Sequence, residues 1–297
     1  MGISVANIAW HNRQPNLFID TMVKSAAVLN RFRLIDGVKS KVNVPIYDAA
    51  LSFGSDLCVF DAQSSASIAD KEMTVETYKW SFLNCKAVLE NTYRSVLLKK
   101  GQHNPETMDG EFKDWVFDYF AKLSAQKALE TAATELTTAF AADAAVLDVT
   151  GTAALTPSNI LDKMEDAYQT MSDVMIAAVY GDADREYKPA FFLGTAAMQH
   201  YQIAIAAKYT TTPQGIVEGT VPAYYGMEVV HFPSLPVNQF FVSAPMNIVM
   251  LTDEYNDVRA IDMKYEAELS SDKIWGQFKL GFDYLKGSEI VYYKYAA

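Results

Sequence analysis

The residues best equipped for chemistry are four histidines, two cysteines and one short run of carboxylates, and their spacing decides how much they could do. His11, His103, His200 and His231 share no interval that would present two of them to one metal ion. Cys85 ends an apolar, strand-like run, Phe82-Leu83-Asn84-Cys85, and reads as a small buried residue rather than a nucleophile. Asp182, Asp184 and Glu186 follow Gly181, but a calcium loop needs its glycine and its twelfth-position glutamate elsewhere, so a solvated loop is expected. Gly215, Gly219 and Gly226 are too far apart to cradle a dinucleotide phosphate, no GK[ST] occurs, and no serine stands in a GxSxG elbow. Trp80, Trp115, Trp275 and the 17 tyrosines do not line up with lysines or arginines as base-stacking platforms. The expectation is no enzyme, no cofactor and no metal. The competing reading is a cytosolic enzyme using Cys85 or a histidine clustered in three dimensions, and a turnover lost in Cys85→Ala with the fold intact would identify it.

The totals narrow the field further. A chain of 297 residues, half of them apolar, buries a sizeable core and is not disordered. Its 36 acidic and 25 basic residues leave a net charge of -11, the wrong sign for gripping nucleic acid. Nucleic acid beside it would have to be enclosed rather than bound. Cys58 and Cys85 alone cannot build a disulfide framework, and no stretch approaches the roughly 20 apolar residues of a membrane span. The opening MGISVANIAWHNRQP has neither a basic region nor an apolar run, so the chain reads as a soluble intracellular product.

What remains is organisation. Asn104 as N-cap, Pro105 at the first helical position and Glu106 in the first turn mark the start of a long helix reaching Ala142. Phe112, Trp115, Val116, Tyr119 and Leu123, then Ala125, Ala128, Leu129, Ala132, Leu136, Ala139 and Phe140, recur at helical spacing. Such a rod is roughly 50 Å long at 1.5 Å per residue, a spine on which sheets can be mounted.

Before it, Phe18, Met22, Ala26, Leu29 and Phe32 predict an amphipathic helix on an arm that ends near Asp36-Gly37. Val38, Ser40, Val42, Val44 and Ile46 alternate with Lys39, Lys41, Asn43 and Pro45, a half-wet strand suited to an edge. A second extended run starts at Met73 and passes through Cys85. The two predict the arms of a long hairpin with a solvated tip, poor in core of its own and in need of a surface to lie on. Residues 86–100 read as a short helix.

After the spine, Ile160, Leu161, Met164, Ala167, Met171, Val174 and Met175 predict one helix, with Ser158 or Asn159 as cap. A strand at Pro189–Leu193, a helix at Thr195–Lys208, a TTTPQG loop and a strand–turn–strand over 226–253 follow. Alternating runs at Ile261–Leu269 and Gln277–Tyr284 close the chain in β-structure.

This order of elements resembles the major capsid protein of tailed bacteriophages. PSNILDKMEDAYQTM is similar to the helix opening that family's axial domain, and PAFFLGTAAMQHYQIA to its strand-then-helix segment. YYGMEVVHFPSLPVNQFFVSAPMNIVMLTD resembles the family's glycine, apolar strand, "P.N" turn, strand and "N" sequence. The resemblance covers nearly the whole chain and implies an α+β Hong Kong 97-type capsid fold. It divides the chain into an N-terminal arm at 1–35, an extended two-stranded loop at 36–88 and the spine-helix part of a peripheral domain at 89–142. An axial domain at 143–255 and the C-terminal β part of the peripheral domain at 256–297 follow.

The implied function is a self-assembling icosahedral shell of hexamers and pentamers around packaged double-stranded DNA, located in the virion and assembled in the host cytoplasm. The partners would be further copies of the chain, a portal, scaffold or decoration proteins, and DNA held without sequence-specific binding; no membrane is involved. Many family members begin with a cleaved scaffolding segment, whereas here the arm comes almost at once, so a separate scaffold or none is expected. Some relatives join a loop lysine to an asparagine of a neighbour; Lys71 is the conceivable donor, with no local pattern supporting the bond. Lys39, Lys41, Lys71, Glu72 and Glu76 are the candidate intersubunit contacts. An encapsulin-type compartment enclosing cargo enzymes shares the fold and is the alternative.

Overall fold

The structure, a computed structural model, describes residues 28–50, 65–85, 110–151, 153–181, 184, 186–208, 223–253, 261–266 and 271–295. The predicted arm helix before residue 28, the loop tip 51–64, the helix 86–100, the cap at Asn104, the TTTPQG loop and Asp182 lie outside these residues.

The spine is helix α1, Gly110–Ala142, 33 residues long. Its stripe of Ala125, Ala128, Leu129, Ala132, Ala133, Leu136 and Phe140 is buried, the small side chains letting the backbone lie close against two sheets. Phe140 sits where they meet: its ring centroid is 5.2 Å from Phe241, 5.4 Å from Tyr284 and 5.6 Å from Tyr292.

The first sheet has β1 (Arg33–Ile35), β10 (Ile248–Thr252), β12 (Ser271–Tyr284) and β11 (Ile261–Glu266) in that order, with β4 (Glu76–Cys85) also on β12. β12 turns Ile274, Phe278, Leu280, Phe282 and Tyr284 into the core, as the period-two pattern of its sequence requires. The second sheet has the order β5 (Leu147–Gly151), β13 (Ile290–Tyr295), β9 (Gln239–Ser243), β6 (Ala190–Leu193), β8 (Met227–His231) and β7 (Ala223–Tyr224). Phe192, Phe241 and Tyr292 face the spine, while Phe191, Phe240 and Tyr293 face α2 (Ile160–Thr170), α3 (Asp173–Tyr180) and α4 (Thr195–Lys208). Burial on both faces is why AFFL, QFFVS and IVYY read as unbroken apolar runs. The third, two-stranded sheet is the hairpin of β2 (Lys41–Ala50) and β3 (Ser65–Thr74).

Asn247 sews together two of the chain's passages between the large sheets, from β9 to β10 and from β12 to β13. Its amide donates to Ser243 Oγ at 3.2 Å and to the Lys286 carbonyl at 3.0 Å, and its Oδ1 accepts from Lys286 N–H at 2.9 Å. This is the "N" of the motif. The "P.N" asparagine, Asn238, holds a left-handed backbone with φ 66° and accepts from Leu155 N–H at 2.9 Å. The motif's glycine, Gly226, follows Tyr225 in a two-residue turn in which both φ are positive, 50° and 78°.

Five expectations need correction. The run from Met73 to Cys85 is not the second arm of the hairpin: β3 begins at Ser65 and pairs with β2, and the chain then changes sheet at Val75 so that β4 pairs with β12 from Glu76 to Cys85. Residues 36–88 are therefore not one ribbon. The segment 256–297 is divided too, since β13 pairs with β5 and β9 in the second sheet. The helix expected over Ile160–Met175 breaks at Met171, where ψ is 144°, and restarts with Ser172 Oγ accepting from Met175 N–H. Val174 consequently faces solvent, 67% exposed. Asn159 stands at the N-cap position of α2, but its side chain makes no capping hydrogen bond and instead closes the preceding loop on Thr156 N–H and the Ala154 carbonyl. Arg33–Ile35, read as the end of a helix, is a strand parallel to β10.

Candidate assembly surface

The hairpin is the element with least core of its own. Its inner rungs lie on the outer side of the first sheet, where Val38, Val44 and Met73 cover Val249 and Leu251. Alternation places Val42, Val44, Lys71 and Met73 on this inward face, and the cross-strand pairs Val44–Lys71 and Val42–Met73 put them in register. The root is closed by Val75 N–H donating to the Ser40 carbonyl at 2.9 Å and Val38 N–H to the Thr252 carbonyl at 3.0 Å. Gly37, with φ 80°, makes the turn that leads in. Further out, Ile68, Ala69 and Asp70 are exposed, Ile68 to 64%. An extended, exposed two-stranded ribbon is a surface built to be covered.

The five candidate contact residues divide by face. Lys41 and Glu72 pair at 2.7 Å on the outward face, their side chains 61% and 51% exposed. Glu76 accepts from Tyr78 Oη at 3.4 Å. The carbonyl of Lys39 accepts from Lys279 Nζ at 3.0 Å, leaving the exposed Lys39 side chain at the hairpin root. Lys71 behaves differently: its ammonium donates to Asp283 Oδ1 at 2.8 Å and to the Tyr284 carbonyl at 2.7 Å, and lies 3.3 Å from the Tyr284 ring centroid. The amine considered for a bond to a neighbour is held inside its own chain.

Beneath the hairpin lie polar groups that sequence reasoning missed. Glu135 on the spine accepts from Phe282 N–H at 2.7 Å and from Tyr78 Oη at 2.9 Å. Burial holds its carboxyl above the ordinary range, and the two hydrogen bonds only partly offset that. Burial, and then Glu135 itself, raise the Tyr78 phenol. Asp143, at the spine's end, accepts from Tyr284 Oη at 2.6 Å and from Ala145 N–H at 2.8 Å, and these bonds hold its carboxyl below the usual value. Local sequence marks neither Glu135 nor Asp143; Gly281, one of two glycines inside β12, marks instead the place where the hairpin root crosses that strand.

The described residues with catalytic potential lie on different elements. His231 ends β8 with Nε2 at 3.1 Å from Thr195 Oγ1, His200 lies on α4, and Cys85 pairs with Ser271 at the end of β4. Among the described residues no group of three or more histidine, cysteine, aspartate or glutamate side chains could hold a metal ion, and no helix is long and apolar enough to cross a membrane. His11, His103 and Cys58 lie outside the described residues.

No family model matches the chain, and no curated protein does. Solved structures do. The chain is similar to one in the satellite phage P4 procapsid that includes the size-determination protein, at 8% identity, covering 95% of this chain and 99% of that one with a TM-score of 0.61. A capsid chain of the native GTA particle aligns at 12% identity over 92% and 91%, TM-score 0.59. The virus-like particle from Pyrococcus furiosus aligns at 9% identity over 94% and 96%, TM-score 0.54. Matched over 92% or more of its length by these chains, which share 12% or less of its sequence, the chain has the Hong Kong 97-type capsid fold.

Proposed function

We propose that the chain is the major capsid protein of a tailed phage, assembling into hexamers and pentamers that close an icosahedral shell around double-stranded DNA. The observation that carries this reading is the β2–β3 hairpin, held to the body through its inner rungs and exposed further out at Ile68, Ala69 and Asp70, on a fold otherwise found in shells. A lone copy gains little from such a ribbon; neighbouring copies that cover it gain buried apolar area. On this reading the arm is 1–35, the extended loop runs from Asp36 to Val75, the spine and first sheet form the peripheral domain, and the second sheet with α2, α3 and α4 forms the axial domain. Lys39, Lys41, Glu72 and Glu76 meet neighbours, with Lys71 engaged at home. A portal and scaffold or decoration proteins complete the particle, which is assembled in the host cytoplasm and forms the capsid of the virion. The net charge of -11 suits an inner wall past which DNA slides. The protein performs no catalysis.

Negative-stain microscopy of the purified protein tests this. Rings or closed shells are expected, and monomers alone at micromolar concentration would refute it. Particles that enclose a cargo enzyme and no DNA would move the chain to the encapsulin-type reading.

A further inference from the structure

Three consecutive residues of β12 touch both the hairpin and the spine. Phe282 N–H donates to Glu135, Asp283 receives the Lys71 ammonium, and Tyr284 gives its carbonyl and ring face to Lys71 while its hydroxyl donates to Asp143. Lys71 lies outward from the root, opposite Val44 on the ladder, and the Lys71 and Asp283 side chains are 25% and 21% exposed. The root consists of Gly37 on one side and the single residue Val75 between β3 and β4 on the other. That is the layout of a hinge with a catch set away from it.

We propose that Lys71 is a releasable latch fixing the direction in which the hairpin leaves the body, and that Tyr284 couples the latch to the C-terminal end of the spine helix. With the latch closed, the ammonium bridges Asp283 and Tyr284, so the first rungs of the hairpin cannot lift from β12. With it open, the root keeps its hydrogen bonds and the apolar contact of Val38, Val44 and Met73 with Val249 and Leu251, while the rungs beyond Val44 and Lys71 are free to change direction. Tyr284 is held from both ends, by Lys71 on its carbonyl and face and by Asp143 on its hydroxyl. Releasing either end loosens the group on which the other depends, giving the two discrete states that coupling requires. The inference concerns the single chain and stands whether or not shells form.

The test is the distance between spin labels at Ile68→Cys, on the exposed hairpin, and Lys127→Cys, on the exposed side of the spine, with Cys58 and Cys85 replaced by serine and labelled protein diluted in unlabelled. The parent should give one narrow distance. Lys71→Met should lose it to a broad distribution, the exchange K71D/D283K should recover it, and Tyr284→Phe should broaden it as well. Thermal unfolding of each variant separates release from unfolding, and Asp283→Asn opens the same ion pair should Lys71→Met fail to fold. A distribution in Lys71→Met matching the parent overturns the latch. A narrow distance in Tyr284→Phe beside a broad one in Lys71→Met overturns the coupling.

Discussion

The carbonyl group of Thr74 lies across the α-carbon of Gly281, so close that a β-carbon there would overlap the carbonyl oxygen and come within 3.3 Å of Thr74 C and Val75 Cα. The hairpin root thus crosses β12 backbone against backbone, and only glycine permits it. Gly281→Ala must push the root away, because the obstacle is main chain rather than a movable side chain. The expected loss is about 1–3 kcal/mol, read from urea unfolding at constant m-value. Unchanged stability would show that the crossing yields without strain.

Two substitutions on the same hairpin should differ sharply. Met73 is fully buried, 0% exposed, and Met73→Ala is expected to cost about 2–5 kcal/mol. Lys41→Ala breaks an ion pair of two exposed side chains and should change stability by no more than about 0.5 kcal/mol. Equal effects from the two would contradict the inward and outward faces described here.

Asn238 combines a positive φ of 66° with a hydrogen bond to Leu155 N–H. Asn238→Ala loses both, for about 2 kcal/mol, whereas Asn238→Gly keeps the backbone and should recover part of that loss. Thermal denaturation of the two variants separates the contributions.

Glu135 and Asp143 should give pH dependences of opposite sign. Burial raises the Glu135 carboxyl above its ordinary 4.5, so its favourable contribution is complete below that value and is lost as pH rises through the folded-state value. Glu135→Gln is therefore expected to gain stability relative to the parent between pH 4 and 7. Asp143, held below its ordinary 3.8 by the Tyr284 hydroxyl, contributes above that value and loses the contribution as pH falls through its folded-state value. Asp143→Asn should then weaken the protein at neutral pH and converge on the parent in acid. Unfolding midpoints from about pH 2, below the ordinary carboxylate range, up to about pH 7 decide both signs.

The elements visible beforehand were those whose burial follows a simple period. The alanine stripe of the spine, the alternation of Phe278 to Tyr284, the strand at 190–193 and the helix at Thr195–Lys208 lie where the pattern puts them. The failures are equally physical. Val75 carries no mark of a change of sheet, because an extended residue looks the same whichever strand it pairs with. The break at Met171 was hidden because Val174 and Met175 continue the apolar rhythm, although after the break only Met175 returns to the core and Val174 faces solvent. Of the candidate contacts, Lys41 and Glu72 show their outward direction by alternation alone, but the capture of Lys71 depends on Asp283 and Tyr284, more than 200 positions away.

By itself, then, the amino-acid order carries a long rod, half-wet strands and an order of parts that resembles the capsid family, and it holds no motif with the spacing of a catalytic or metal site. Periodicity is a property of neighbours along the chain and survives without a partner. Which strands pair, where the ribbon turns into the body, and which lysine is held by its own chain were decided only in three dimensions. Each depends on groups distant in sequence reaching one place at hydrogen-bonding distance, as the ammonium of Lys71 does 2.8 Å from Asp283.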